Sequence, residues 1–174
     1  VAGVAVDRRD HVWITHRPST LQPNETRSIW KAAPPVLEFD ADGTLVSSWG
    51  GPSAGYDWPQ LEHGIYVDER DNVWLGAGGE KDAHILKFTR DGRFLLQIGR
   101  PGQGRGSNDT ANLGAPANMV VDRAANELYV ADGYVNHRVI VFDAETGAYK
   151  RHWGAYGKVP DDGFFTRAGE TLPG

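Results

Sequence analysis

Three side chains of this sequence combine a chemically useful group with a place at the start or end of a predicted strand: Arg17, His63 and Tyr134. A neutral imidazole such as that of His63 is a common metal ligand. The guanidinium of Arg17 can bind a carboxylate through two parallel hydrogen bonds. A phenol such as that of Tyr134 can act as a general base or hydrogen-bond donor when a dication lies near it. Together these groups suit metal-assisted chemistry on a substrate with a carboxylate.

Composition excludes several other kinds of site. The 174 residues include no cysteine, which removes disulfides, thiolate catalysis and cysteine-bound metals. The formal net charge of −5 arises from 18 basic and 23 acidic residues without long runs of one sign. Such a distribution is not typical of a nucleic-acid surface. No run approaches the roughly 18 apolar residues that cross a bilayer, so we expect neither a nucleic-acid partner nor a membrane span.

A repeated set of short strands must position these groups. An apolar strand that ends near an acid recurs at Gly3–Asp7, Gly64–Asp68 and Asn118–Asp122. Each copy is followed by a polar turn and three further apolar or alternating runs, separated by turns with Asp, Asn and Gly. Apolar residues nowhere show the helical period. The sequence therefore predicts an all-β chain built from three four-stranded repeats.

Four short strands per repeat are typical of a β-propeller blade. We predict blades at approximately 1–57, 58–114 and 115–157, with 158–174 as a loop leading to a further blade. The long connections 18–35 and 101–116 are rich in Pro, Gly, Asn and Ser and are predicted to be rim loops. Because propellers close with about four to eight blades, three blades leave uncovered edges. We expect about half of a wheel, poorly soluble or oligomeric if expressed alone.

The propeller geometry gives each candidate residue a position. His63 stands just ahead of an inner strand at the mouth of the central channel, Arg17 opens a long rim loop, and Tyr134 follows the turn Asp132–Gly133. Each also has a purely structural explanation. The imidazole of His63 can donate to a loop carbonyl, Arg17 can pair with an acid of the next blade, and Tyr134 can pack over the channel mouth.

Other polar residues are predicted to be structural. Aspartates that recur in every copy are expected to form turns, and these are Asp7, Asp68 and Asp122. Asn136 is expected to hold a turn, and Arg138 to tie adjacent blades through buried carbonyls or acids. Four histidines match no site and are predicted to be surface groups: His11, His84, His137 and His152.

Three segments carry a resemblance to a known family. They are Val1–Ala5 followed by His16–Arg17, then Glu62–Ile65, and then Ala131–Arg138. The strand pattern resembles NHL repeats, which implies a six-bladed β-propeller. Residues 1 to 157 resemble more specifically the propeller of peptidylglycine α-amidating lyase. That enzyme cleaves peptidyl-α-hydroxyglycine to a peptide amide and glyoxylate.

The resemblance implies metal ions and residue roles. In that family three histidines hold zinc, while an arginine and a tyrosine face the substrate. His63 matches the first zinc histidine, Arg17 the arginine and Tyr134 the tyrosine. Ile65 matches the residue whose backbone carbonyl binds a structural calcium. The remaining two histidines and the calcium-binding carboxylate are expected in blades beyond Gly174, and the resemblance implies an extracytoplasmic location, periplasmic or secreted.

The sequence leaves several functions open. The leading hypothesis is a zinc-dependent lyase or hydrolase with a small-molecule or peptide substrate. The alternative is a non-catalytic NHL propeller that binds a peptide, a protein or a sugar on its loop-rich face. A third class, lactonase-like propellers with calcium in the channel, has weaker support. Asn118 suits such a site, but no matching glutamate begins an inner strand.

Overall fold

Short apolar runs between Asp- and Gly-bearing turns form twelve strands in three antiparallel sheets of four. The computed structural model describes residues 1–26 and 31–163. These ranges contain two short 3-10 turns, Pro18–Thr20 and Ala155–Gly157, and no α-helix. The all-β prediction with three four-stranded blades is confirmed. No helix within the described ranges has the length and apolar character needed to span a membrane.

The strands follow the chain order within each sheet. The first sheet contains β1 (Gly3–Val6), β2 (Val12–Thr15), β3 (Val36–Phe39) and β4 (Leu45–Trp49). The second contains β5 (Glu62–Val67), β6 (Val73–Ala77), β7 (His84–Phe88) and β8 (Phe94–Gly99). The third contains β9 (Asn118–Asp122), β10 (Glu127–Asp132), β11 (Arg138–Asp143) and β12 (Tyr149–Trp153). Two of the three predicted loops lie partly outside the described residues: 18–35 at positions 27–30, and 158–174 from position 164 onwards.

Among the first strands of the three sheets, β1 contacts β5 and β5 contacts β9, so successive blades stack along a common inner edge. Trp13 is fully buried between the first and second sheets, and Trp74 takes the same repeat position between the second and third. The outer faces of the first and third sheets remain open. On them Val4 and Val6 are 64% and 63% exposed, and Val120 is 50% exposed. This arrangement is a partial propeller whose two end faces lack a covering blade.

The recurring aspartates form turns, as predicted. One carboxylate oxygen of Asp7, and likewise of Asp68, accepts hydrogen bonds from two backbone amides of the turn that follows. The other oxygen accepts from the indole of Trp13 or Trp74 at 3.0 and 2.9 Å. Asp122 closes its own turn in the same way. Aspartate therefore shapes all three inner hairpins, and in the first two blades it also orients the aromatic ring that fills the blade interface.

Arg138 bonds a buried acid and backbone carbonyls, as predicted, and so ties the loop between the second and third blades to the third blade. Its Nε donates to Asp132 at 2.9 Å, and both side chains are fully buried. Its terminal nitrogens donate to three backbone carbonyls of the loop 101–116. Asn136 donates to the same carboxylate at 2.8 Å. The long loop is therefore anchored by a buried ion pair. Most of the donors and acceptors of that pair have hydrogen-bond partners.

The prediction of a surface position is wrong for His84. Its side chain is fully buried, and Nε2 lies 2.7 Å from the carbonyl of Asp57. The loop before β5 folds back over the start of β7 and covers the ring, which a local apolar pattern cannot show. Burial lowers the pKa of His84 below its ordinary value. The imidazole therefore resists protonation in the folded chain.

We expect the free energy of unfolding to decrease as the pH is lowered below about 6.5, because unfolded His84 gains a proton that the folded chain disfavours. The folded pKa lies below the unfolded value of 6.5, so stability declines as pH falls below that value. The slope from this group is at most about 1.4 kcal/mol per pH unit. Urea denaturation at each pH measures the effect. His84→Gln should reduce the slope, and an unchanged slope would assign the pH dependence to other groups.

Candidate functional site

The rim where β2 ends and β5 begins brings the three predicted residues into one chain of contacts. His63 lies in β5, and the hydroxyl of Tyr134, two residues after β10, is 2.8 Å from its Nε2. The ring centroids are 5.1 Å apart. Arg17, two residues after β2, donates from Nε to the backbone carbonyl of Glu62 at 2.8 Å. Each blade thus contributes one member to a continuous contact chain.

Each residue of the contact chain keeps groups available to a ligand. Tyr134 is 58% exposed, and Arg17 and His63 are partly buried. Among residues 1–26 and 31–163, Arg17 forms no ion pair and its terminal nitrogens donate to no acceptor. The Nδ1 atom of His63 has no hydrogen-bond partner in the same ranges. The proposed ion pair with an acid of the next blade is therefore replaced by a bond to a main-chain carbonyl.

A break in the strand register sets the direction of His63. The pairing of β5 with β6 shifts between Glu62 and Ile65, so His63 and Gly64 lie in a bulge. A bulge re-aims side chains locally and is common beside functional sites. Ile65 returns to regular pairing, and its side chain is buried in the interface of the first two blades. Its backbone carbonyl as a calcium ligand stays a prediction.

Glycines in two neighbouring segments allow the backbone to approach His63 closely. A Cβ at Gly3 of β1 would lie 2.4 Å from the carbonyl oxygen of His63, and one at Gly78 would lie 2.9 Å from its ring. Real side chains do not tolerate such distances, so both positions require glycine for steric reasons. Sequence reasoning used Gly3 only as a mark of the repeat and did not single out Gly78. The Gly78–Gly79 pair after an inner hairpin was the available signal.

Glu62 is a further participant that sequence reasoning missed. It begins β5, is 3% exposed, and accepts a 2.7 Å hydrogen bond from the indole of Trp58 on one carboxylate oxygen. The other oxygen is buried and has no partner in the described part of the chain. Because its main-chain carbonyl holds Arg17, Glu62 positions the arginine beside His63. A main-chain contact has no residue signature, so the sequence offered no signal for it.

The residues of the contact chain provide only some of the ligands that a zinc site needs. Catalytic zinc takes three protein ligands and keeps a fourth position open, and the contact chain provides one histidine. A cluster of metal-ligating types does occur at the opposite rim, formed by Asp7, His11 and Glu38. The guanidinium of Arg90 already bonds Asp7 at 2.8 Å and also Glu38. We therefore interpret the cluster as an ion-pair network between the first two blades.

The pKa of Asp7 agrees with that interpretation. Burial alone would raise the pKa of this carboxyl group. Hydrogen bonds from Trp13, from two backbone amides and from Arg90 outweigh burial and lower the pKa to about 2. The carboxylate is therefore ionised and paired with a protein cation, and it needs no metal for charge balance.

Comparisons with known proteins agree with the partial propeller. No protein-family model matches the chain. The chain is 25% identical to peptidyl-glycine alpha-amidating monooxygenase of Mus musculus over 185 residues, which cover 95% of this chain and 18% of the relative. It is 28% identical to peptidyl-alpha-hydroxyglycine alpha-amidating lyase 1 of Drosophila melanogaster over 172 residues, with coverage of 88% and 29%. The chain thus spans less than a third of these relatives.

Solved structures share the architecture. A streptogramin B lyase superposes with a TM-score of 0.56 at 15% identity, over 90% of this chain and 41% of that chain. A catalytically inactive virginiamycin B lyase from Staphylococcus aureus with quinupristin gives 0.53 at 14% identity, over 91% and 42%. At such identities the likeness concerns the fold. The chain has an NHL-like β-propeller fold, and its sequence resembles the amidating-lyase propeller.

Proposed function

We propose that this chain forms part of a zinc-dependent lyase or hydrolase that acts on a peptide ending in α-hydroxyglycine. The observation that carries the proposal is the contact chain from Arg17 through Glu62 and His63 to Tyr134. Its members come from three blades yet meet at one rim. The resemblance to amidating lyases supports the same assignment, with distant relatives that carry the lyase name.

The residues of the contact chain suit the parts of this reaction. The free terminal nitrogens of Arg17 suit the substrate carboxylate, which they can bind in bidentate geometry. His63 would provide one zinc ligand, with the others from further blades. Bound zinc would supply a Lewis acid for the substrate oxygen. A calcium ion at the Ile65 carbonyl would serve the fold and not the chemistry.

Tyr134 would act as the general base that accepts the proton of the α-hydroxyl group. As the carbon–oxygen double bond of glyoxylate forms, the bond between the α-carbon and the amide nitrogen breaks. The electron pair leaves with the nitrogen, which takes up the proton from Tyr134 and becomes the peptide amide. Arg17 holds the carboxylate throughout, so that the hydroxyl group stays next to Tyr134.

The test is elemental analysis of the full-length protein and its His63→Ala variant. We expect near one zinc per chain in the wild type and its loss in the variant, because His63 would be one of only three protein ligands of the metal. His152→Ala is the matched control, since its partly exposed ring contacts Tyr149 and lies outside the contact chain. Zinc loss in both variants, or no zinc in the wild type, would contradict the proposal.

One observation favours a non-catalytic binding propeller as the second candidate. Within the described ranges, His63 is the single histidine in the contact chain. In that case Arg17 and Tyr134 would be recognition anchors for a peptide, a protein or a sugar. Peptide binding without stoichiometric zinc would support this candidate. An extracytoplasmic location is proposed for either function, on the resemblance alone.

A further inference from the structure

A cavity of about 610 Å³ opens at the outer edge of the second blade, on the same rim as His63. It lies between the loop that precedes β5 and the loop that follows β8. The residues that line it are mostly polar and include Asp57, Gln97, Arg100, Gln103 and Asn112. We call this cavity the rim groove.

Hydrogen bonds hold the walls of the rim groove in place. The backbone amide of Asp57 donates to Gln97 at 2.9 Å, and the side-chain amide of Gln97 donates back to the Asp57 carboxylate at 2.8 Å. On the other wall, the backbone amide of Arg100 donates to Asn112 at 3.0 Å. Beneath the groove, the fully buried His84 bonds the carbonyl of Asp57. The groove is therefore built before a ligand arrives.

Two side chains of the rim groove keep their own hydrogen-bonding groups unused. In the described parts of the chain, the guanidinium of Arg100 and the side-chain amide of Gln103 have no hydrogen-bond partner, while both residues line the groove. The carboxylate of Asp57 also lines the groove, but it belongs to the other wall, where it accepts a hydrogen bond from Gln97. A planar guanidinium with free donors suits a carboxylate, and the neighbouring amide suits a peptide group. The chemistry favours an acidic segment of a peptide.

The geometry of the blade relates the rim groove to His63. Strands β5 to β8 are consecutive neighbours in one sheet. Three spacings of about 4.8 Å place β8 roughly 14 Å from β5. An extended peptide advances about 3.3 Å per residue, so roughly four residues cover that distance.

We propose that the rim groove binds an acidic side chain of a peptide about four residues ahead of its C-terminal end, with Arg100 as the partner of the carboxylate. The position along the peptide rests on the proposed function, which places that end beside Arg17 and His63. The carboxylate pairing itself rests only on the groove. Arg100 is then a specificity-determining residue.

Binding of two amidated octapeptides tests the inference. They differ only in having Glu or Gln four residues before the C-terminal amide, and isothermal titration calorimetry at low ionic strength measures both dissociation constants. We expect the Glu peptide to bind the wild type roughly three- to fivefold more tightly, because Arg100 is exposed and an exposed ion pair provides no more than that. Arg100→Ala should remove this difference. Arg93→Ala, an exposed arginine in the turn at the opposite rim, should retain it.

The outcomes separate this inference from the proposed function, because the binding assay requires neither zinc nor turnover. Equal affinities of the two peptides for the wild type would overturn the groove assignment. So would a difference that persists in Arg100→Ala. A protein that contains no zinc yet shows the Arg100-dependent preference would overturn the lyase and leave the groove assignment in place.

Discussion

Replacing Arg138 by alanine is expected to lower the free energy of unfolding by about 3–5 kcal/mol. The side chains of Arg138 and Asp132 are both fully buried, so the substitution leaves a carboxylate in the interior without its cation. It also leaves three loop carbonyls without their donor. Only Asn136 and the amide of Gly114 would still donate to Asp132. Urea denaturation with a constant m-value measures the change.

Arg151→Ala is the matched control for that substitution. Arg151 also pairs with one carboxylate, Glu127, at 2.6 Å, but its side chain is 46% exposed. After the change Glu127 keeps Lys150 as a cation at 3.5 Å and the hydrogen bond from Tyr129, so the free energy of unfolding should decrease far less than for Arg138→Ala. Comparable losses in the two variants would contradict the assignment of the buried pair as the anchor of the loop 101–116.

Tyr134→Phe is expected to lower kcat by roughly 10²–10⁴-fold, the range typical of a lost general base. The ring contact with His63 can persist, and only the hydroxyl group that lies 2.8 Å from Nε2 is lost. Because Tyr134 is 58% exposed, the stability of the fold should change little. Turnover of a peptidyl-α-hydroxyglycine by the full-length protein measures the effect, with glyoxylate as the product detected.

Tyr156→Phe controls for the loss of a phenol as such. Tyr156 is 97% exposed in a short turn after β12 and has no hydrogen-bond partner in the described ranges, so kcat should be unchanged. Zinc content should stay the same in both variants. If Tyr134→Phe retains full turnover and zinc, the phenol is not the base, and the proton must pass to another group.

Local features of the sequence predicted the blades. Strand alternation depends on neighbouring residues, and turn formation by Asp7, Asp68 and Asp122 depends on amides two to four positions ahead. The Val–Trp pairs likewise mark Trp13 and Trp74 as the aromatic residues that fill the two blade interfaces. Such signals act over a few residues, and each repeat shows them again.

Those local signals could not predict contacts between segments that are distant in the sequence. The carbonyl of Glu62 that holds Arg17, the cover over His84 and the bonds of Arg90 to Asp7 and Glu38 all join residues of different repeats or loops. Each depends on how a loop folds back or how two blades meet. Main-chain acceptors add no residue type for a pattern to detect.

The sequence by itself determined the all-β class, the four-stranded repeat and the turn aspartates, because alternation and turn chemistry are local properties. It also placed Arg17, His63 and Tyr134 at strand ends on one rim. Only the tertiary structure decided that the latter two share a hydrogen bond and that Arg17 is held beside them. The physical reason is that stacking of the blades, together with a bulge at His63, sets the distances between their strand ends.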